Sequence, residues 1–329
     1  MVDIKDIFNR ITKLKVAVIG DIMLDTYWWG HVERISPEAP VPVVAVDRRE
    51  QRIGGAGNVA LNINSLGASI SLLSIIGNDD DGEQLKKLLV EQGIKDDHLY
   101  TSKERITTNK IRIISRSQQM MRLDSEHVKD LSPAEEDGVF KLVEKYINTQ
   151  KPNVVILEDY NKGLLTQSLI TKIVDLCNKH GIITAVDPKR KNFFSYKNTT
   201  LFKPNLKEVK ESFHILTDDM DKEALHNVHK QLHEKLNHEI SLITLSEKGI
   251  FYQNSKETGI VPAHIRHIAD VSGAGDTVIA VAALLYAATK DIALSAEVAN
   301  IAGGLVCEEV GTAVINKQKL MEECELLLR

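Results

Sequence analysis

The sequence predicts an α/β protein: a doubly wound, mostly parallel sheet flanked by helices, with a small antiparallel β lid. Three observations carry that prediction. Short β-branched runs alternate with stretches whose apolar residues recur at helical spacing, the pattern of parallel strands joined by crossover helices. Two stretches break the alternation and read as strands without a crossover helix. From Gly273 onward the chain turns helical.

Lys15–Gly20 (KVAVIG) is the first buried strand, a β-branched run ending at glycine. Similar runs follow at Ile70–Ile76, Val154–Leu157, Ile182–Val186 and Ile240–Leu245. Between them, Ala56–Leu66, Gly82–Gln92, Ala134–Asn148, Gln167–His180 and Lys222–Leu236 show helical periodicity. His180-Gly181 places a cation and then glycine at a helix end, a stop signal. The lid segments are Tyr27–Arg49, with Pro37, Pro40 and Pro42, and Arg105–Asp124. The last helices are Gly273–Thr289, Ala293–Val310 and Asn316–Leu328. No internal repeat or low-complexity linker interrupts the 329 residues, which read as one domain, 1–329, with lid segments at about 27–49 and 105–124 inserted.

Composition narrows the function. A net charge of −5 gives no sign of a nucleic-acid or membrane partner. Cys177, Cys307 and Cys324 are scattered, which argues against a disulfide framework or a zinc site. The N-terminal residues lack the apolar core of a signal peptide. The longest apolar run, Val278–Ala288, is too short to span a bilayer, so the expectation is a cytoplasmic protein.

Asp270-Val271-Ser272-Gly273-Ala274-Gly275-Asp276-Thr277 opens the most apolar helix. Small residues at 273–275 let backbone N–H groups approach a ligand at a helix N-terminus, where the dipole also favours negative charge. Asp276 would stand beside the bound anion, placed to take a hydroxyl proton; as an ordinary turn, the same residues would make it a cap. The segment is neither a G-x-G-x-x-G fingerprint nor a Walker A loop. A second cluster, Gly54-Gly55-Ala56-Gly57-Asn58, opens another helix: Gly54 and Gly55 suit a hinge, and Asn58 could bond sugar hydroxyls or merely sit in a tight helix entry.

Together, GGAGNVALNINSLGA and DVSGAGDTVIAVAA resemble the two signatures of the ribokinase-like (PfkB) carbohydrate kinases. That resemblance implies an ATP-dependent sugar kinase with Mg²⁺. It makes Asp276 the general base and gives the amides of Gly273, Ala274 and Gly275 the charge developing on the transferred phosphoryl group. It assigns Asn205 and Glu208, in N-x-x-E, to Mg²⁺ through water. Thr244, Ser246, Gly249, Asn300, Gly303 and Asn205 go to the nucleotide, Asp25 to sugar hydroxyls, and Asp270 to a monovalent cation such as K⁺. RISPEAPVPVV, TTNKIRIISRSQQMMRLD, EDYNKG and VDPK are similar to the kinase half of the heptose-phosphate kinase/ADP-heptose synthase group, though Asn109 stands where threonine is expected. The implied substrate is D-glycero-β-D-manno-heptose 7-phosphate, phosphorylated at O1. The implied partners are a second copy joined through the lid and, because no H-x-G-H element occurs, a separate nucleotidyltransferase.

The cations fit a phosphorylated sugar. Lys110 and Arg122 lie on lid strands, while Asp159, Lys162 and Lys189 follow core strands, where open α/β sheets bind ligands. Lys162 and Lys189 are expected at the distal phosphate; Arg112 and Arg116 read as solvated edge charges. His226, His229 and His233 share a helix face without an H-E-x-x-H pattern and read as solvated rather than metal-binding. A dinucleotide-dependent oxidoreductase would need G-x-G-x-x-G after the first strand, which is absent. A non-catalytic sugar-binding protein of the same fold would have no need of the intact Gly273–Asp276 turn.

Overall fold

The computed structural model describes residues 3–116, 118–217 and 220–328. In chain order the strands are β1 (Lys15–Gly20), β2 (Ile22–Ile35), β3 (Pro42–Gly55), β4 (Ser69–Gly77), β5 (Leu99–Ser102), β6 (Asn109–Ser115), β7 (Gln118–Ser125), β8 (Val154–Glu158), β9 (Ile183–Asp187), β10 (Leu201–Phe202), β11 (Ile240–Thr244), β12 (Ile250–Gln253) and β13 (Thr258–Val261). The helices are α1 (Ile4–Ile11), α2 (Ala56–Ser65), α3 (Asp80–Glu91), α4 (Pro133–Gln150), α5 (Gln167–Lys179), α6 (Leu206–Phe213), α7 (Lys222–Leu236), α8 (Ala274–Thr289), α9 (Ile292–Val306) and α10 (Lys317–Leu327).

Nine strands form the main sheet in the order β13-β12-β11-β10-β9-β8-β1-β4-β5. All neighbours are parallel except β11–β12 and β12–β13. In the interior strand β1, Val16 and Val18 face the core built with α1, α2, α8 and α9, while Ala17 and Ile19 face the one built with α4, α5 and α7. Period-two alternation within an all-apolar strand thus gives each side of the sheet its own helix layer.

The lid is a second sheet, ordered β3-β2-β6-β7. Its outer pairings are antiparallel, as expected, but β2 and β6 run parallel at its centre because α2, β4, α3 and β5 intervene between them. The lid strands also reach further than expected: β2 begins at Ile22, directly after β1, and β3 runs to Gly55. Ser117, within the second lid segment, lies outside the described residues.

The α7 histidines correct the sequence reading. His229 is only 8% exposed. Its Nδ1 lies 2.9 Å from Ser241 Oγ, and His238 Nε2 approaches the same hydroxyl at 2.6 Å. His233 Nδ1 donates to the His238 carbonyl at 2.8 Å. Of the three, only His229 is buried, turned onto Ser241 of β11, while His233 stays exposed; burial drives His229 down to about 4 and His238 to about 3. Two short elements lie outside the sequence reading: α1, whose Ile4, Ile7, Phe8 and Ile11 do stand at helical spacing and are buried, and the four-residue edge strand β5.

Candidate active site

The first turn of α8 carries Asp276, and Gly273 makes the turn into it. Gly273 has φ 81°, and a Cβ there would lie 2.7 Å from Asn58 Nδ2. Only glycine permits that approach at low cost. Asn58, in α2, donates through Nδ2 to Asp276 Oδ2 at 2.8 Å, and the Tyr160 hydroxyl donates to Oδ1 at 2.7 Å. Burial raises the Asp276 carboxyl to about 6, against the pull of these two hydrogen bonds. It is ionised at neutral pH and basic enough to accept a proton. Amides of a helix's first turn have no intrahelical carbonyl, so Gly275 and its neighbours face outward from an electropositive end; Ala274's amide makes a long 3.3 Å bond to Val271 O.

Beneath Asp276 lies a charged floor. Glu158 ends β8 and Asp187 ends β9; an oxygen from each lies within 4.8 Å of one from Asp276. Lys203 Nζ meets Asp187 Oδ2 at 2.8 Å, and Lys189 Nζ meets Asp187 Oδ1 at 3.1 Å and Glu208 Oε1 at 2.8 Å. Burial raises Asp187's carboxyl, but the two lysines outweigh it and hold it below the ordinary value. Burial, with Asp187 and Asp276 adding repulsion, pushes Glu158 well above its ordinary value. Asn205 caps α6: its Oδ1 accepts from the Glu208 amide and its own amide donates to Glu208 Oε2, each at 2.8 Å.

The loop after β8 is held from below. Asp21 accepts from the amides of Tyr160 (2.9 Å), Lys162 (3.0 Å) and Leu164 (3.3 Å). That nest presents Tyr160 between Lys110 and Lys189, whose Nζ atoms lie 5.6 and 5.3 Å from its ring centre. Lys162 pairs with Glu126 at 2.5 Å, and Arg122 grips Asp124 through two hydrogen bonds of 2.8 and 2.9 Å. Asp25 meets Arg112 at 2.5 Å. A Cβ on Gly54 would come 2.3 Å from Asp25 Oδ2, so glycine there leaves the carboxylate its place.

Several sequence expectations move. Arg112 is no solvated edge charge: β2 and β6 pair side by side and bring it onto Asp25, while Arg116 stays exposed. Lys189 is held by Asp187 and Glu208, whereas Lys162 pairs with Glu126. Asn58 bonds Asp276 itself. Asp159 turns into the scaffold, where Tyr196 Oη and the Asn161 amide each bond it at 2.7 Å.

The remaining residues run along the sheet's other half. Thr244 bridges Asn205, and Ser246 and Gly249 shape the turn between β11 and β12. Asn300 of α9 donates to Pro262 O at 2.8 Å, and Gly303 lets α9 approach Val278 of α8. Asp270 accepts from the amides of Ser272 and Gly311, each at 2.9 Å. Gly55 opens α2 with φ 59°.

The family model for pfkB family carbohydrate kinases matches residues 13–319. The chain belongs to that family. The D-beta-D-heptose 7-phosphate kinase of Bordetella bronchiseptica is 38% identical over 96% of this chain and 97% of its own length. The bifunctional protein HldE of Sulfurimonas denitrificans is 39% identical over 94% of this chain, which spans 64% of that protein. Among solved structures, Escherichia coli phosphofructokinase-2 in complex with potassium superposes with TM-score 0.79 at 17% identity, covering 96% of this chain and 100% of its own. Arabidopsis thaliana ribokinase complexed with ribose and ATP gives 0.74 at 15%, covering 94% and 99%.

Five residues of this pfkB-family cleft carry no assigned role in the sequence reading, although EDYNKG and VDPK contain Glu158, Tyr160 and Asp187: those three with Asp21 and Lys203. A signal existed. Glu158 and Asp187 each end a core strand at its carboxyl edge, the place where open α/β sheets gather ligands. No helix of the described residues is long and apolar enough to cross a membrane.

Proposed function

We propose that this chain transfers the γ-phosphoryl group of ATP to O1 of D-glycero-β-D-manno-heptose 7-phosphate, giving the 1,7-bisphosphate. The observation that carries the substrate is the end-to-end 38% identity with the Bordetella heptose 7-phosphate kinase. Lys110, over the Tyr160 ring, and Lys162, two residues further along the same loop, fit a phosphate at the sugar's far end. Asp25, fixed by Arg112, fits the sugar hydroxyls.

In this reading Asp276 takes the O1 proton as that oxygen attacks the γ-phosphorus, and the bond to the bridging oxygen of ADP breaks. Tyr160 and Asn58 orient the carboxylate. The α8 amides of Gly273, Ala274 and Gly275 face the charge spread over the transferred group. Thr244, Ser246, Gly249, Asn300 and Gly303 border the nucleotide. Mg²⁺ bound to the phosphates supplies charge neutralisation, and Asn205 and Glu208 are the residues assigned to hold it through water. Asp270 is assigned to a monovalent cation. The lid excludes water, and Gly54-Gly55 serves as its hinge.

We extend the reading to assembly. The lid exposes Ile35, Val41, Val46, Met120, Met121 and Leu123, an apolar set that suits pairing with a second copy. The product passes to a nucleotidyltransferase, with the cytoplasm, where ATP is available, as the compartment. The deciding experiment mixes protein, ATP and Mg²⁺ with heptose 7-phosphate, unphosphorylated heptose, ribose or fructose and follows ADP. Heptose 7-phosphate is expected to exceed the others; equal rates with an unphosphorylated sugar would overturn the substrate while leaving the kinase.

A further inference from the structure

Glu158 has no partner. It is 0% exposed, and neither carboxylate oxygen has a hydrogen bond. Its neighbours make this more costly. Asp187 and Asp276 each place an oxygen within 4.8 Å of one of its own, and Glu208 adds a fourth carboxylate through Lys189. Against these four stand two ammonium groups, Lys189 and Lys203, so with all four carboxyls ionised the cluster would carry an excess of two negative charges. The other carboxylates are accounted for: Asp187 by both lysines, Asp276 by Asn58 and Tyr160, Glu208 by Lys189 and the α6 cap. An uncompensated buried charge is expensive, so a carboxyl placed here either holds a proton or shares its oxygens with a cation.

The donor set indicates which cation. All the atoms are carboxylate oxygens, the ligands hard divalent cations prefer, and such ions hold oxygens at about 2.0–2.6 Å. Oxygens already gathered within 4.8 Å of one another can share one ion after small side-chain adjustments. One divalent cation also matches the excess of two.

We propose that Glu158, with Asp187, binds a divalent cation in the protein itself, before any nucleotide arrives. The ion is distinct from the one that travels with the nucleotide phosphates. Asp276 keeps its bonds to Asn58 and Tyr160 and stays available as base. Use of the ion in phosphoryl transfer rests on the function proposed above; binding of the ion does not.

The test uses Mn²⁺ as probe, with full-length protein and neither nucleotide nor sugar. Free Mn²⁺ is read by electron paramagnetic resonance as protein is added. The wild type is expected to take up about one equivalent, and Glu158→Gln, which keeps shape and removes charge, to weaken uptake by about tenfold or more, at least the loss that disturbing an outer-shell partner brings. Mn²⁺ should raise the melting temperature of the wild type and not of the variant. No uptake by the wild type, or equal uptake by Glu158→Gln, would overturn the site. Should the variant not fold, the anomalous signal from wild-type crystals soaked in Mn²⁺ decides: a peak in coordination range of Glu158 supports the site, and its absence there sinks it. Loss of heptose 7-phosphate activity with Mn²⁺ uptake intact would count against the proposed function alone.

Discussion

Two buried polar clusters of this molecule solve the same problem in opposite ways. At the carboxyl ends of β8 and β9, Glu158, Asp187, Asp276 and Glu208 are packed with Lys189 and Lys203, and charge is kept. Between α7 and the start of β11, His229 and His238 converge on one hydroxyl, and charge is expelled. Ser241 can donate to one ring and accept from the other with both neutral, so the histidines need no counter-charge. The carboxylates can shed charge only by taking a proton, the direction in which Glu158 is pushed; while ionised they only accept. Buried charge that the fold has not neutralised marks the place where something else is to bind; buried polarity satisfied within the fold marks scaffold.

The largest effect is expected where the charged cluster meets the reaction. Asp276→Asn keeps the shape but replaces one accepting oxygen with a donor and cannot take a proton, and kcat should fall by about 10²-fold or more. Nucleotide affinity, measured by titration calorimetry, should hold. Near-normal turnover would remove Asp276 from its role.

Lys162→Ala should come next. Its ammonium is mostly shielded from solvent and bonded to Glu126. Loss of one cation from a partly desolvated phosphate site costs about 2 kcal/mol, or roughly 30-fold in KM for the sugar phosphate, with KM for ATP unchanged. Lys189→Met should behave differently, because its partners are Asp187 and Glu208: kcat should suffer more than the sugar KM. Equal behaviour of the two variants would erase the distinction between the two ends of the cleft.

Tyr160→Phe is the finer probe. It keeps the ring between Lys110 and Lys189 and removes only the donor to Asp276. A hydrogen bond to a charged group is worth about 1.5–3 kcal/mol, so kcat should drop by roughly tenfold or somewhat more. Unchanged steady-state kinetics would make Tyr160 a packing residue.

The comparison also explains what the sequence could and could not reveal. The β1, β8 and β9 runs and the turn at Gly273–Asp276 are local patterns, β-branched residues ending at glycine or a carboxylate and glycines opening an apolar helix, and they are legible one residue after another. Asn58 on Asp276, Arg112 on Asp25 and Lys189 on Glu208 are pairings across 218, 87 and 19 positions, set by how sheet and lid pack. Types and spacing do not encode them. Glu158 was hidden differently: one acidic residue closing a strand is ordinary until the neighbouring strands bring two more carboxylates to it.

The smallest expected effect belongs to the histidine cluster, and its sign is fixed. In the fold, burial holds His238 at about 3 and His229 at about 4, against 6.5 for an ordinary histidine. The unfolded chain therefore binds protons that the folded one refuses. By linkage, stability falls as pH drops below about 6.5 and goes on falling toward 4, where His229 begins to charge even when folded. The slope for His238 is at most about 1.4 kcal/mol per pH unit, reached only below the unfolded value. Melting curves from pH 7 to 4.5 should show it. His238→Gln can still bond Ser241 but cannot titrate, so its melting temperature should fall less over that range, by about 2 °C or more at the acid end. Parallel pH profiles for wild type and variant would mean the cluster is already wet or already charged, and the contrast with the carboxylate floor would fail from that side.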